Sequence, residues 1–298
     1  MNVIPTNLSL GLQLHSLFKI GLELSKARLS LLVTFSSAFG YVLGTGGMVN
    51  WTILVALIVG GFFISASAGT INQILEDDVD RLMKRTLNRP LPTSRITKTG
   101  AYIFASVFLI VGIALLLIFT NWLATLLSLV SFVLYSFIYT PLKRVGPIAV
   151  FVGAIPGAMP PLLGWVAATG AIGHEALIIF GIQFVWQFPH FWAIAWVSAD
   201  DYEKAGFKLL PSGGGRDLNT AFQIMIYTLF LLPLGLLPSY FGLTGINSAV
   251  VATVCGALFF ATTLQLMRDY SKKSALFIMF GSFIYLPVVQ IAFLLDML

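Results

Sequence analysis

Three oxygen-bearing side chains, Asn72, Glu76 and Asp80, recur at i, i+4 and i+8 in the stretch NQILEDDVDRLMKRTLNRP. At 100° per residue this spacing keeps all three within about 40° of one another on a helix. Two carboxylates and an amide on one stripe suit a hard divalent cation. Mg²⁺ takes oxygen ligands, keeps several waters, and commonly binds through one or two carboxylates together with substrate phosphates. Asp77 and Asp78 fall on neighbouring faces, as outer or solvated charges. Arg81, Lys84, Arg85 and Arg89 follow at once, and they are donors suited to phosphate oxygens, the arginines through a bidentate fork. A solvated helix end explains the bases, because Lys and Arg collect on the cytoplasmic side of a membrane. It does not explain acids stacked at the mouth of a span, where ionisable groups are costly.

Asp200 and Asp201 form a second acidic cluster in WVSADDYEKAGFKLLPSGGGR, with Glu203, Lys204, Lys208 and Arg216 nearby. Alone, this is equally the composition of an ordinary polar loop. Its weight comes from matching the first cluster in side and in position along the chain. Two acidic sites facing one cavity could hold two or more Mg²⁺ ions on a diphosphate and neutralise the charge that develops on a leaving group. Gly213–Gly215 would serve either as the hinge of a lid or as a flexible linker.

The elements that must position these residues follow from composition. The 298 residues are 58% hydrophobic and 10% charged, with mean hydropathy +0.92, against about 25% charged residues in ordinary soluble chains. This composition is that of an integral membrane protein. Apolar runs long enough to cross about 30 Å of hydrocarbon fall near 29–46, 51–71, 100–120, 122–140, 148–168, 174–196, 221–241, 247–267 and 275–296. An all-α fold of nine transmembrane helices is therefore expected, with Asn121 marking the turn between the third and fourth. With the N-terminus cytoplasmic and the C-terminus outside, all 17 Lys and Arg lie in inner segments, as the positive-inside rule requires. The long polar loops, 72–99 and 197–220, follow the second and sixth spans, so a 4+4 parallel helical repeat plus one helix is expected. Residues 1–28 read as a cytoplasmic or interfacial lead-in carrying Leu8, Leu10, Leu12, Leu14, Leu17, Phe18, Ile20, Leu22 and Leu24. No cleavable targeting segment is visible. The single Cys255 excludes a disulfide framework. The net charge of +5 follows from the topology and carries no nucleic-acid inference.

The stretch NQILEDDVDRLMKRTLNRPL resembles the signature of the UbiA superfamily of intramembrane prenyltransferases. More narrowly, it resembles the protoheme IX farnesyltransferase (heme O synthase) branch, with its N-x-x-x-[DE]-x-x-x-D pattern followed by M-x-R-T-x-x-R-P. YTPLKR at Tyr139–Arg144 is similar to the superfamily Y-x-x-x-K element. GAMPPLLGW at Gly157–Trp165, WQFPHFWAIAW at Trp186–Trp196 and DDYEKAGFKLLP resemble segments of the same branch. Three departures stand out: Glu76 where many relatives have Asp, Lys204 and Ala205 where a D-x-x-x-D second motif would carry its second acid, and Ala27 in place of a proline. The resemblance implies transfer of the farnesyl group of farnesyl diphosphate to the vinyl group of heme b, with Mg²⁺ as cofactor. With no transit peptide visible, a bacterial inner membrane is expected rather than a mitochondrial one. The Lys and Arg distribution puts the active-site loops on the cytoplasmic side, and the resemblance implies heme A synthase or cytochrome oxidase assembly downstream.

On that resemblance Asn72, Glu76 and Asp80 hold a first Mg²⁺, and Asp200 and Asp201 a second. Arg81, Arg85, Arg89, Lys143, Lys204 and Lys208 face diphosphate, and Tyr139 lines the path of the allylic cation, stabilising it by about 0.5–2 kcal/mol. His190, inside a span beside Pro189, reads either as a buried imidazole hydrogen-bonded across helices or as a contact to heme, at the iron or at a propionate. Gln183 and Gln187 extend a polar stripe on the same side. Trp51, Trp122 and Trp165 read as interfacial anchors. A UbiA-type enzyme with an aromatic acceptor, as in quinone biosynthesis, would use the same acidic faces. A secondary transporter would also show a parallel repeat with intramembrane polar groups, but near the midplane.

Overall fold

A computed structural model describes residues 10–212 and 215–298, apart from the side chains of 10–14. Leu8 of the expected lead-in and Gly213 and Gly214 of the expected lid lie outside the described residues. Among those described, nine helices are long and apolar enough to cross a membrane. After a lead-in helix, α1 (Leu10–Leu24), come α2 (Ala27–Gly44), α3 (Trp51–Leu75), a single turn α4 (Asp77–Asp80), α5 (Lys98–Phe119) and α6 (Trp122–Val133). α6 runs through a π-helical turn, Leu134–Tyr139, into α7 (Thr140–Leu142), the three together forming one span. Then follow α8 (Ile148–Thr169), α9 (His174–Val197), the short α10 (Ala199–Lys204), α11 (Leu218–Tyr240), α12 (Ile246–Asp269) and α13 (Lys272–Leu295).

Helix starts are written in the sequence as caps, because the first backbone N–H groups of a helix lack partners. Asn50 Oδ1 accepts from Thr52 N at 3.0 Å and opens α3. Asn121 Oδ1 accepts from Ala124 N at 2.9 Å, and the same side chain donates through Nδ2 to Val166 O at 2.8 Å. The marker of the turn between α5 and α6 therefore also ties that turn to α8. Thr97, Asp217 and Ser271 cap α5, α11 and α13 in the same way.

Between helices in lipid there is little hydrophobic drive, so close packing of small residues must supply the attraction. A Cβ on Gly40 would lie 1.9 Å from Pro161 O, and one on Gly164 would lie 1.9 Å from Ser37 O. α2 and α8 thus cross backbone to backbone. Around this contact two apolar cores form. One joins α2, α3, α5, α6 and the end of α8, including Leu57, Ile64 and Leu116. The other joins α8, α9, α11, α12 and α13 with Phe207, Leu209 and Leu210 of the second polar loop. Trp51 and Trp122 are exposed at helix starts, whereas Trp165 packs against the second core. Trp165 lies one turn before the end of α8 and is only partly buried.

Between the cores lies a cavity of about 280 Å³, lined from α2, α3, α6, α8, α9 and α13. Its middle is shaped by prolines. Pro161 has no N–H, so the Gly157 carbonyl loses its helical partner, and Gln183 Nε2 and Gln187 Nε2 donate to it at 2.8 and 2.9 Å. Gln290 Nε2 donates to Gln183 Oε1 at 2.9 Å, and Ser36 Oγ donates to Gln290 Oε1 at 3.2 Å. Four helices are joined by one polar chain at membrane depth.

Candidate functional site

Beside the part of the cavity lined by Lys26 and Tyr139, the chain leaves α3. The helix breaks at Glu76 (φ −103°, ψ 7°) and resumes as α4. Glu76 N still bonds Asn72 O at 3.0 Å and Asp80 N bonds Glu76 O at 2.8 Å, so the three side chains keep a common face despite the break. All three are buried, and each meets a cation. Lys26 Nζ donates to Asn72 Oδ1 at 2.6 Å, Lys143 Nζ to Glu76 Oε1 at 2.8 Å, and Arg89 Nη1 to Asp80 Oδ2 at 2.6 Å.

These partners come from three places in the chain, each held by its own device. Lys26 sits between α1 and α2 in a left-handed conformation (φ 46°, ψ 48°), an uncommon state for a residue with a Cβ. Lys143 follows the π turn, and π turns recur at functional sites. Thr140 N and Oγ1 both reach Tyr135 O five residues back, while Pro141 cannot close the ordinary bond to Phe137. The Thr140 hydroxyl, having donated its proton to Tyr135 O, accepts from Asn72 Nδ2 at 3.1 Å. That bond turns the amide so that its oxygen faces the clamp. The Tyr139 ring lies 4.8 Å from Lys143 Nζ, and Phe207 of the second loop closes over the same ammonium at 5.9 Å.

Arg89 returns to Asp80 because the loop between them is tied to itself. Thr86 Oγ1 donates to Asp80 O at 2.9 Å, Arg81 Nη1 to Pro92 O at 2.7 Å, and Arg95 Nη2 to Asn88 O at 2.6 Å. Arg95 also pairs with Glu23 of α1 through both guanidinium nitrogens.

Charge balance in the clamp follows from burial. Burial alone would push the Glu76 carboxyl up, but Lys143, Lys26 and Arg89 together outweigh it and hold the carboxyl below its ordinary value. Burial raises Asp80 against the pull of Arg89. Burial, with repulsion from Arg89 and Lys143, holds Lys26 well below the usual lysine range. Burial pulls Lys143 down, but Glu76, Tyr135 and Tyr202 together move it up.

No three His, Cys, Asp or Glu side chains converge on one point among the described residues. A closed protein cage is therefore not what these residues form. They suit a hard cation that takes the rest of its ligands from water and phosphate. Asp80 Oδ1 is buried and has no hydrogen-bond partner, an oxygen that such a cation would satisfy. The donor set fits Mg²⁺.

The structure brings Asn72, Glu76, Asp80, Arg89, Tyr139 and Lys143 together, and it adds Lys26, which the sequence presents only as one of the bases before the first span. Asp201 and Arg85 lie at the rim: Asp201 Oδ2 accepts from Arg85 N at 3.4 Å, and Arg85 sits 5.8 Å from the Tyr202 ring. Two of the expected site residues pair outside the clamp. Asp200 is 71% exposed and pairs with Arg216 at 3.0 Å, because one turn of α10 sends adjacent residues about 100° apart. Arg81 pairs with Asp77 at 3.1 Å and binds loop carbonyls, so its guanidinium is committed to the loop. Lys204 lies 4.0 Å from Asp201, and Lys208 is exposed beside Tyr202 and Glu203. The same cavity is lined by Gln187, Trp186 and His190, with Phe283 and with Phe191, whose ring lies 6.3 Å from that of Tyr139.

Comparison with known proteins shows the family and the fold. The UbiA prenyltransferase family matches residues 32–285. A protoheme IX farnesyltransferase of Cytophaga hutchinsonii is 56% identical over 281 residues, 94% of this chain and 98% of that protein. Among solved structures, a digeranylgeranylglyceryl phosphate synthase superposes with TM-score 0.78 at 21% identity, covering 94% of this chain and 98% of that one. A UbiA homologue from Archaeoglobus fulgidus bound to GPP and Mg²⁺ superposes with TM-score 0.64 at 19% identity, covering 92% and 99%. The structural likenesses establish the fold, and the sequence matches establish the lineage. The chain belongs to the UbiA prenyltransferase family, and within it groups with the protoheme IX farnesyltransferases.

Proposed function

We propose that the protein transfers the farnesyl group of farnesyl diphosphate to a vinyl group of heme b, releasing diphosphate, at the cytoplasmic face of a bacterial inner membrane. The observation that carries this reading is the buried clamp of Asn72, Glu76 and Asp80, each bonded to a cation, beside an apolar cavity whose lining includes Lys26 of the clamp, Tyr139 and His190. The relatives named as protoheme IX farnesyltransferases supply the acceptor.

Asn72, Glu76 and Asp80 would hold Mg²⁺, which supplies Lewis-acid neutralisation of the departing diphosphate. Lys26, Lys143 and Arg89 place positive charge where the leaving group gathers negative charge, in surroundings that strengthen such terms. The C–O bond of the allylic diphosphate breaks with its electron pair going to diphosphate. Tyr139 offers a ring face to the allylic cation while the vinyl π pair forms the new C–C bond. Water captures the cation left on the porphyrin side chain and loses a proton, giving a hydroxyethylfarnesyl group. Arg85 and Asp201 bring the second loop to the first at the rim, with Lys204 and Lys208 on its outer surface. An oily wall along α2, α6 and α8 keeps bulk water from the cation until the bond has formed.

The test is incubation of the purified protein with heme b, farnesyl diphosphate and Mg²⁺, with and without a chelator, followed by mass analysis of the heme. A chelator-sensitive hydroxyethylfarnesyl adduct is expected. Diphosphate release only with an aromatic acid or quinone precursor would overturn the heme assignment and leave the clamp standing.

A further inference from the structure

His190 carries information about its own tautomer. Ser282 Oγ lies 2.6 Å from Met279 O, and two oxygens that close need a proton between them. The carbonyl has none, so the proton is that of Ser282. Its one donor is then spent, and the 2.8 Å contact to His190 Nδ1 must be donated by the imidazole. Nδ1 therefore carries the hydrogen and Nε2 keeps a bare lone pair. Nε2 has no hydrogen-bond partner among the described residues, and His190 lines the cavity beside Gln187, Phe191 and Phe283. The ring cannot turn freely. Trp186 stacks on one face at 4.4 Å and 17°, itself fixed by Nε1 donating to Ser282 O at 3.0 Å, and the Phe283 ring meets it edge-on at 5.0 Å.

A rigid neutral imidazole with Nδ1–H bonded and Nε2 open is the form that ligates metals, the far-side hydrogen bond setting orientation and basicity. It is the wrong form for a propionate, since Nε2 has no proton to give and its lone pair would face a carboxylate. We infer that His190 Nε2 ligates the heme iron of the acceptor and that Ser282, through Nδ1, is the positioning residue for that bond. The inference rests on heme b being the acceptor. It makes the iron a recognition handle: a macrocycle fixed at its centre presents its vinyl edge at one depth in the membrane. Porphyrin without metal lacks that handle.

The experiment uses the full-length protein in nanodiscs, loaded with heme b, reduced, and examined by resonance Raman spectroscopy. The wild type is expected to show an iron–imidazole stretching band. His190→Ala should lose it, and added free imidazole should restore it. Ser282→Ala should keep the band at lower frequency and release heme about 10-fold faster, with Ser282→Thr returning both toward wild type. Metal-free protoporphyrin IX, offered to the wild type in place of heme b, should be used with kcat/KM lower by about 10-fold or more. Farnesyl diphosphate binding reports the fold of each variant. An unchanged band in His190→Ala overturns the inference, as does equal use of heme b and metal-free protoporphyrin IX. Farnesylation of heme b by a wild type that shows no such band sinks the iron bond while the proposed function stands. A wild type that neither binds nor farnesylates heme b, yet releases diphosphate with a phenolic acceptor, sinks both.

Discussion

The two acidic stretches look alike in sequence and differ in the fold. In the first, Asn72, Glu76 and Asp80 are buried and bonded to Lys26, Lys143 and Arg89. In the second, Asp200 is 71% exposed on Arg216, and Asp201 is 20% exposed beside Arg85 and Lys204. The contrast comes from where each sits on its helix. The first set spans the last turn of α3 and α4, still within the packed bundle, so every carboxylate must find a partner or remain costly. The second begins α10, outside the bundle, where water supplies what a partner does not. An exposed ion pair contributes about 0–1 kcal/mol, whereas a buried, pre-oriented charge set can act on a developing charge without reorganising.

This contrast can be broken by substitution. Asp80→Asn should lower kcat by about 10²–10³-fold while thermal unfolding stays cooperative, and full turnover at ordinary Mg²⁺ would remove Asp80 from the mechanism. Lys26→Met should lower kcat/KM for farnesyl diphosphate by about 10²-fold, comparable to loss of one preorganised donor. If steady-state kinetics show no change, Lys26 is only a structural tie to Asn72. Asp201→Asn is expected to cost about 10-fold, as for a positioning contact, and Asp200→Asn less than about twofold, in line with an exposed pair. Equal losses at Asp200 and Asp201, measured side by side, would mean that the second loop reorganises around substrate. The smallest effect belongs to Asp217, whose Oδ1 accepts from Thr220 N at 2.8 Å. Removing this cap by Asp217→Ala should cost about 1 kcal/mol in an unfolding titration and leave turnover unchanged.

Much of the architecture was legible because it depends on length and composition. The sequence reading places the nine spans within a few residues of the helices, and Asn121 marks a real turn. The first acidic stripe was legible too, since i, i+4, i+8 spacing survives even the break at Glu76. Lys26 was not, because its value depends on a bond to a residue 46 positions away. Nor could spacing separate Arg81, Arg85 and Arg89, which lie in one run. The loop carbonyls of Leu91 and Pro92 claim the first, Tyr202 borders the second, and Asp80 takes the third.

By itself, then, the sequence determined the membrane spans, the single face of oxygen-bearing side chains and the signature shared with the family, because hydrocarbon thickness and helical period act on neighbours along the chain. Only the tertiary structure decided which cations meet those oxygens, which acid of the pair Asp200 and Asp201 meets Arg85 of the first loop, and which nitrogen of His190 is spent on Ser282. These depend on helices crossing at Gly40 and Gly164, on carbonyls freed by Pro161, and on one hydroxyl proton at Ser282. Contacts between residues far apart in sequence leave no periodic trace in it.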